Sequence, residues 1–296
     1  MLELDRLTRR FGGADGVTAV DEVSFEVAEG RMTGFVGGNG AGKTTTMRMI
    51  MGVLAPTSGT VRWRGHEVTT ADRRGFGYMP EERGLYPKQP VLDQLVYLGR
   101  LHGRDAAGAR RDATDLLDRF GLGERTGDKL ESLSLGNQQR VQIAAAVIGK
   151  PDLLVLDEPF SGLDPAAVDS MVDLLREHTA RGVPVLFSSH QLDLVERLCD
   201  QLAILASGKL VGWGTVEDLR RRGRVRHRLV LDGDAGWVRG ADGVDVVDVD
   251  GPAAVLELAD PAAGDTLLRE ALARGGVREY AEIVPALSDI YREVTA

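Results

Sequence analysis

The sequence predicts a layered α/β domain followed by a small α+β unit, and three observations predict it. A glycine cluster, Gly37-Gly38-Asn39-Gly40-Ala41-Gly42, stands between an apolar run at 32–36 and a helix-forming stretch at 43–53. The continuous aliphatic run Leu153–Leu156 reads as a strand buried on both faces of a parallel sheet. After about residue 220 the texture changes to short strands and helices that form a unit of their own. The expected division is 1–219 and 220–296, in keeping with 296 residues, a length that suits one large domain with a small one.

Taken in order, residues 2–4 and 23–27 are short strands, the second closed by the turn Ala28-Glu29-Gly30. A strand over 32–36, the glycine loop and a helix from Lys43 follow. Pro56-Thr57-Ser58-Gly59 makes a turn before a strand at 60–63. Between 90 and 120, Leu92, Leu95, Val96, Leu98, Leu116, Leu117 and Phe120 recur at helical spacing, with Gly103 and Gly108 expected to interrupt an inserted helical region. A crossover helix over 169–180 joins the strand at 153 to another at 183–188. Beyond 220, strands are expected at 255–258 and 277–284 and helices at 265–273 and 285–294, the last opened by Pro285. The alternating Asp/Val segment at 244–249 reads as a half-exposed edge strand with its acids in water, in preference to a calcium site.

Composition excludes several classes. Thirty-six Lys plus Arg against 45 Asp plus Glu leave a net charge of −9, which does not suit a general nucleic-acid binder. The hydrophobic share of 43% with 5% aromatic and 37 glycines belongs to an aliphatic, turn-rich globular chain. One cysteine, Cys199, allows no internal disulfide and fits a reducing cytoplasm; its surroundings, Leu192, Leu194, Val195 and Leu198, point to packing in place of reactivity. The opening MLELDRLTRRF lacks a signal-type apolar core, and no apolar run approaches the ~20 residues of a spanning helix. The arginine-rich run from Arg220 to Arg228 reads as a solvated helix end entering a linker.

The chemistry is concentrated in two segments. Gly37, Gly38, Asn39, Gly40, Ala41 and Gly42, closed by Lys43 and Thr44 with Thr45 behind them, satisfy the phosphate-loop pattern in its strand-to-helix setting. Glycines let backbone N–H groups wrap a phosphate, and the helix start adds its dipole. Lys43 supplies a point charge to the β- and γ-phosphates, and the Thr44 hydroxyl is a ligand for Mg²⁺. In the second segment the strand at 153 delivers Asp157 and Glu158 to its C-terminal end, where α/β folds bind ligands. Asp157 fits a Mg²⁺ partner, and Glu158 the base or positioner of the attacking water.

Leu133-Ser134-Leu135-Gly136-Asn137-Gln138-Gln139-Arg140 lies between them. Taken alone, it is a serine N-cap before a Gln-rich helix. In this order and spacing, the three segments resemble the nucleotide-binding subunit of ATP-binding cassette (ABC) transporters, whose signature is usually written LSGGQ. Leu135 stands for a glycine there and Asn137 for a glutamine. The resemblance covers the chain, most closely to about residue 215. It implies a P-loop NTPase cassette, a mixed-sheet core with a helical subdomain, and ATP with Mg²⁺ as cofactors. It also implies a role for His190 at the γ-phosphate, for Phe11 on the adenine ring and for Asp164, in Ser161-Gly162-Leu163-Asp164, in joining two subunits. Phe11 by itself reads equally as a core residue. In Gly77-Tyr78-Met79-Pro80-Glu81-Glu82-Arg83, Glu81 occupies the place of the family's glutamine, toward both Mg²⁺ and water. The run from Glu81 to Tyr86, and the small C-terminal domain, resemble an exporter subfamily that includes sodium-extrusion ATPases.

The mechanism the resemblance implies is dimeric. Two copies face head to tail, and Ser134 and Gly136 of one complete the ATP site of the other. The partners expected are thus a second copy and an integral membrane permease, with the chain cytoplasmic and peripheral at the inner face of the membrane; no nucleic acid is expected. The alternative is a soluble ABC-type ATPase acting on nucleic acid or ribosomes. The single cassette, the lack of a long coiled-coil insertion and the acidic charge stand against it.

Overall fold

Strands without a single exposed residue occupy the centre of the first of two units. A computed structural model describes residues 1–12, 16–82, 84–222, 225–283 and 286–295, and the chain divides into Met1–Val216 and Glu217–Ala296. Arg83, Gly223, Arg224, Val284 and Pro285, which the sequence reading includes in its loop, linker and terminal elements, lie outside the described residues.

The first unit carries two sheets. Strands β1 (Leu2–Phe11), β2 (Val17–Val27), β4 (Ser58–Trp63) and β5 (His66–Glu67) make an antiparallel sheet in the order β2-β1-β4-β5. The larger sheet runs β10-β9-β3-β8-β7-β6, from β3 (Met32–Gly37), β6 (Phe76–Met79), β7 (Leu153–Leu156), β8 (Val185–Ser189), β9 (Gln201–Ala206) and β10 (Lys209–Gly214). Its strands pair in parallel except for β10 on β9, so the core is mixed, as the resemblance implies. Buried on all residues, β3, β7 and β8 need covers on both faces. Helix α1 (Lys43–Ile50) supplies Met47, Met49 and Ile50 to one core that also holds Leu2, Phe25 and Trp63 of the antiparallel sheet and Phe35, Val155 and Leu186 of the central one. Each such side chain contributes about 1.5–3 kcal/mol by leaving water.

A short α2 (Thr70–Arg73) precedes β6, and the inserted region is α3 (Val91–Leu101), α4 (Ala106–Arg119) and α5 (Leu135–Val147). Gly103, at φ 82°, separates α3 from α4 as expected. Gly108 does not interrupt: it is buried in the first turn of α4, its N–H given to the Asp105 cap. The crossover helix α6 (Pro165–Ala180) begins four residues before the expected 169, because Asp164 caps it (Ala167 N–H to Oδ1, 2.9 Å) and Pro165 takes the first position. Helix α7 (Leu192–Leu198) ends at Cys199.

Helix α8 (Val216–Arg222), which starts on the last residue of the first unit, is followed in the second by an antiparallel sheet, β12-β13-β11-β14, built of β11 (Arg226–Leu231), β12 (Val244–Asp250), β13 (Ala253–Leu258) and β14 (Val277–Ile283). Helix α9 (Pro261–Arg274) packs Leu267 and Ala271 against Leu229, Leu231 and Leu256. It starts at 261 instead of 265 for the reason α6 does: Asp260 caps, Pro261 follows. Edge strand β12 exposes Asp245, Asp248 and Asp250, but a bulge between Val246 and Asp248 breaks the alternation and turns Val247 outward. Helix α10 (Leu287–Thr295) follows.

Candidate nucleotide site

The loop after β3 turns through Gly40 at φ 77° and Gly42 at φ 106°. A Cβ on Gly42 would lie 2.5 Å from the Ala19 carbonyl oxygen, so only glycine fits there. Gly42 is also the N-cap of α1, and no side chain caps that helix. Its first-turn N–H groups are therefore uncapped, no acid stands in that turn, and the positive end of the dipole is left for an anionic ligand. Lys43 is buried and folded back over the loop, donating from Nζ to the carbonyls of Gly37 (2.6 Å) and Gly38 (3.2 Å). Two of its three donors are thereby used, and the third is left for a ligand.

Asp157 is 1% exposed. Its Oδ1 accepts from the Ser188 hydroxyl at 2.6 Å, and Oδ2, also buried, has no hydrogen-bond partner. Glu158 follows in a left-handed conformation, φ 50°. Its N–H donates to Ser188 Oγ (2.7 Å), its carbonyl accepts from Gln139 Nε2 (3.0 Å), and its carboxylate accepts from His190 Nδ1 (3.0 Å). Across the cavity, Thr44 Oγ1 lies 3.4 Å from Glu81 Oε2. The cavity is about 230 Å³, lined by Asn39 to Thr45, Glu81, Asp157 and Glu158, with Ala19 from β2.

This donor set fits a magnesium ion. A hydroxyl and carboxylates converge on one space, and the buried, unpartnered Asp157 Oδ2 is the kind of group a cation would satisfy. No cluster of three His, Cys, Asp or Glu side chains suited to a metal occurs among the described residues. Magnesium takes one or two carboxylates and fills its shell from phosphates and water.

Not every residue singled out in the sequence meets here. His190 reaches the site through Glu158, its own side chain 59% exposed. Phe11 is 41% exposed with the Arg9 guanidinium 4.6 Å from its ring centre, which removes it from the core. Ser134 caps α5, accepting from the Asn137 N–H (3.3 Å), and Leu135 beside it is exposed. Gly136 sits where a Cβ would be 3.2 Å from the Gly162 carbonyl, and Arg140 pairs with Asp164 at 3.0 Å. Ser134, Gly136 and Asp164 are not among the residues that line the cavity.

Four residues escape sequence reasoning: Ala19, Ser188, Gln139 and Gln94. Buried Gln94 of α3 accepts from the Tyr86 N–H (2.8 Å) and donates to the carbonyls of Tyr86 and Gln89 (3.0 Å each), fastening the segment after Glu81. Ser188 shows in the sequence only as a hydroxyl next to the end of the aliphatic β8, with no sign of its partners.

Fold and cavity together define a P-loop nucleotide-binding protein. Residues 20–161 match the family described as ABC transporter, and 214–295 match the C-terminal domain of ATP-binding protein DrrA1-3-like. The uncharacterized ABC transporter ATP-binding protein YhaQ of Bacillus subtilis (strain 168) is 39% identical over 294 residues, 99% of this chain and 98% of that one. The daunorubicin/doxorubicin resistance ATP-binding protein DrrA of Streptomyces peucetius is 37% identical over 209 residues, 70% of this chain and 63% of its own. Among solved structures, an ATP binding subunit of an ABC transporter superposes with a TM-score of 0.68 at 34% identity, over 75% of this chain and 92% of that one. The chain belongs to the ABC transporter ATP-binding proteins, and is an ATPase of that family.

Proposed function

We propose that the chain is the ATP-hydrolysing subunit of an exporter: two copies close head to tail on two ATP molecules and reopen after hydrolysis, driving a separate membrane permease at the inner face of the membrane. The observation that carries this reading is the meeting of the glycine loop, Lys43, Asp157 and Glu158 in one cavity of about 230 Å³. The name of the Streptomyces relative, a drug-resistance protein, supports export. Among the described residues no helix is long and apolar enough to cross a membrane, consistent with a permease on another chain.

Within this reading residues 37–45 cradle the phosphates, and Phe11 takes the adenine face. Thr44, Asp157 and Glu81 hold Mg²⁺, which when bound neutralises phosphate charge. Glu158 orients the attacking water and takes its proton as the bond to the γ-phosphorus forms and ADP leaves. His190 steadies Glu158 and reaches the γ-phosphate. Ser134 and Gly136 complete the partner's site, and Asp164 helps join the copies. Residues 220–296 form a domain appended to the cassette of 1–219.

Replacing Glu158 by Gln tests this. ATP binding should persist, phosphate release should fall about 10²–10⁴-fold, and sedimentation should show an ATP-dependent dimer. Normal turnover in that variant would overturn the reading.

A further inference from the structure

We propose that Ser188 is a positioning residue of the ATPase site, a single hydroxyl that sets both the carboxylate of Asp157 and the backbone of Glu158. The inference rests on the assignment of those two acids to the site, and adds to it a residue outside the cavity lining.

Strand β8 is buried at every position, and Ser188 is 0% exposed. A hydroxyl in such a strand is costly unless it is bonded, and Ser188 is bonded in both senses. It donates to Asp157 Oδ1 at 2.6 Å and accepts the Glu158 N–H at 2.7 Å. The direction is forced: a carboxylate only accepts and an amide only donates, so the hydroxyl proton points to Asp157 and a lone pair to Glu158. Neighbouring Ser189 does something different, accepting from the Gln191 N–H at 3.0 Å within its own turn.

Two consequences follow for the site. With Oδ1 held, Asp157 presents the buried, unpartnered Oδ2 as its open donor toward a cation. Glu158 adopts φ 50° without being glycine, a conformation costing on the order of 1–3 kcal/mol that persists where surroundings hold it. Ser188 holds its N–H and Gln139 its carbonyl, so the turn that brings the Glu158 side chain to the cavity is gripped on both sides. Partners that orient a metal-binding carboxylate typically matter 10–100-fold in metal affinity or rate.

The test is Ser188→Ala beside Ser188→Thr, which keeps the hydroxyl, and Ser188→Cys, a weaker donor and acceptor. In the full chain Ser188→Ala should lower kcat about 10–100-fold while the KM for ATP moves less than about threefold. Its affinity for Mn²⁺ in the presence of a non-hydrolysable ATP analogue should fall on the order of tenfold, and the Glu158 amide should lose protection from hydrogen exchange. Threonine should restore most of each loss, and cysteine should fall between. Wild-type kcat, Mn²⁺ affinity and exchange in Ser188→Ala would overturn the proposal, as would losses that threonine leaves uncorrected in a folded protein. Should the alanine variant fail to fold, wild-type values in Ser188→Cys overturn it. Glu158→Gln run in parallel separates the two failures: normal turnover there removes the acid assignment itself. Loss of turnover there with an unaffected Ser188→Ala removes only the role of Ser188.

Discussion

His190 and Glu158 face each other across 3.0 Å, from Nδ1 to Oε2, although they lie 32 residues apart, just past the ends of β8 and β7. Because a carboxylate only accepts, the ring donates, and the pair acts as one unit with the Glu158 side chain 15% exposed and that of His190 59% exposed. Replacing His190 by Ala should lower kcat about 10²-fold, the scale on which a misplaced catalytic group loses rate. ATP affinity should change little. Steady-state phosphate release with a parallel nucleotide titration checks this, and turnover within twofold of the wild type would separate His190 from hydrolysis.

Glu81 adds a third carboxylate to a cavity whose lining holds one ammonium, Lys43. Its charge repels phosphate when no cation intervenes. Glu81→Gln should therefore tighten metal-free ATP binding by up to about fivefold, equal to ~1 kcal/mol for unit charges about 4 Å apart in water. The same change should weaken the stimulation by Mg²⁺. Calorimetric titrations of ATP in chelator and in Mg²⁺ read both, and equal shifts of the two affinities would contradict a role for the Glu81 charge.

Gly34 lies in the middle of β3, where a Cβ would come within 2.5 Å of Val195 Cγ1, 2.8 Å of Cys199 Sγ and 2.9 Å of Leu202 Cδ2. Helix α7 and β9 press on the strand there, and burial also raises the Cys199 thiol pKa well above its ordinary value. Gly34→Ala should destabilise the first unit by about 1–3 kcal/mol through overpacking. For a unit of this size that is a fall of roughly 2–4 °C in Tm per kcal/mol. Thermal unfolding followed by tryptophan fluorescence measures it; an unchanged Tm would mean that α7 yields without cost.

What was legible in the sequence was what is local. The glycine loop with Lys43 and Thr44 carries its own signal, and four aliphatic residues before Asp157 and Glu158 announce a buried strand end. Ser188 and Gln139 meet Glu158 from 30 and 19 residues away, and nothing in their own neighbourhoods records that meeting. Ala19 enters the cavity by the path of β2, again a tertiary fact. Other differences are local signals that periodicity overrides. The Asp-Pro pairs at 164–165 and 260–261 mark helix starts that apolar spacing puts four residues later. Gly108 looks like a breaker, yet at the third position of a capped helix it supplies only an N–H and little bulk.

His178 provides a test in pH. It is 6% exposed on α6, and its Nδ1 donates to the Leu174 carbonyl at 2.8 Å. Burial lowers its pKa from the ordinary value of 6.5, with the hydrogen bond to Leu174 opposing in part. The folded chain therefore holds a proton on this ring less readily than the unfolded chain does. Where the unfolded state binds more protons, stability rises with pH. The contribution of a neutral His178 is thus fully present above about 6.5 and is lost as pH falls below that value toward the folded-state pKa. The Tm of the first unit should decline between pH 7 and pH 5, and His178→Gln, which retains a donor without titrating, should flatten that decline. Scans of both proteins at half-unit steps decide the matter. Parallel Tm curves across this window would show that the acid sensitivity arises from other groups.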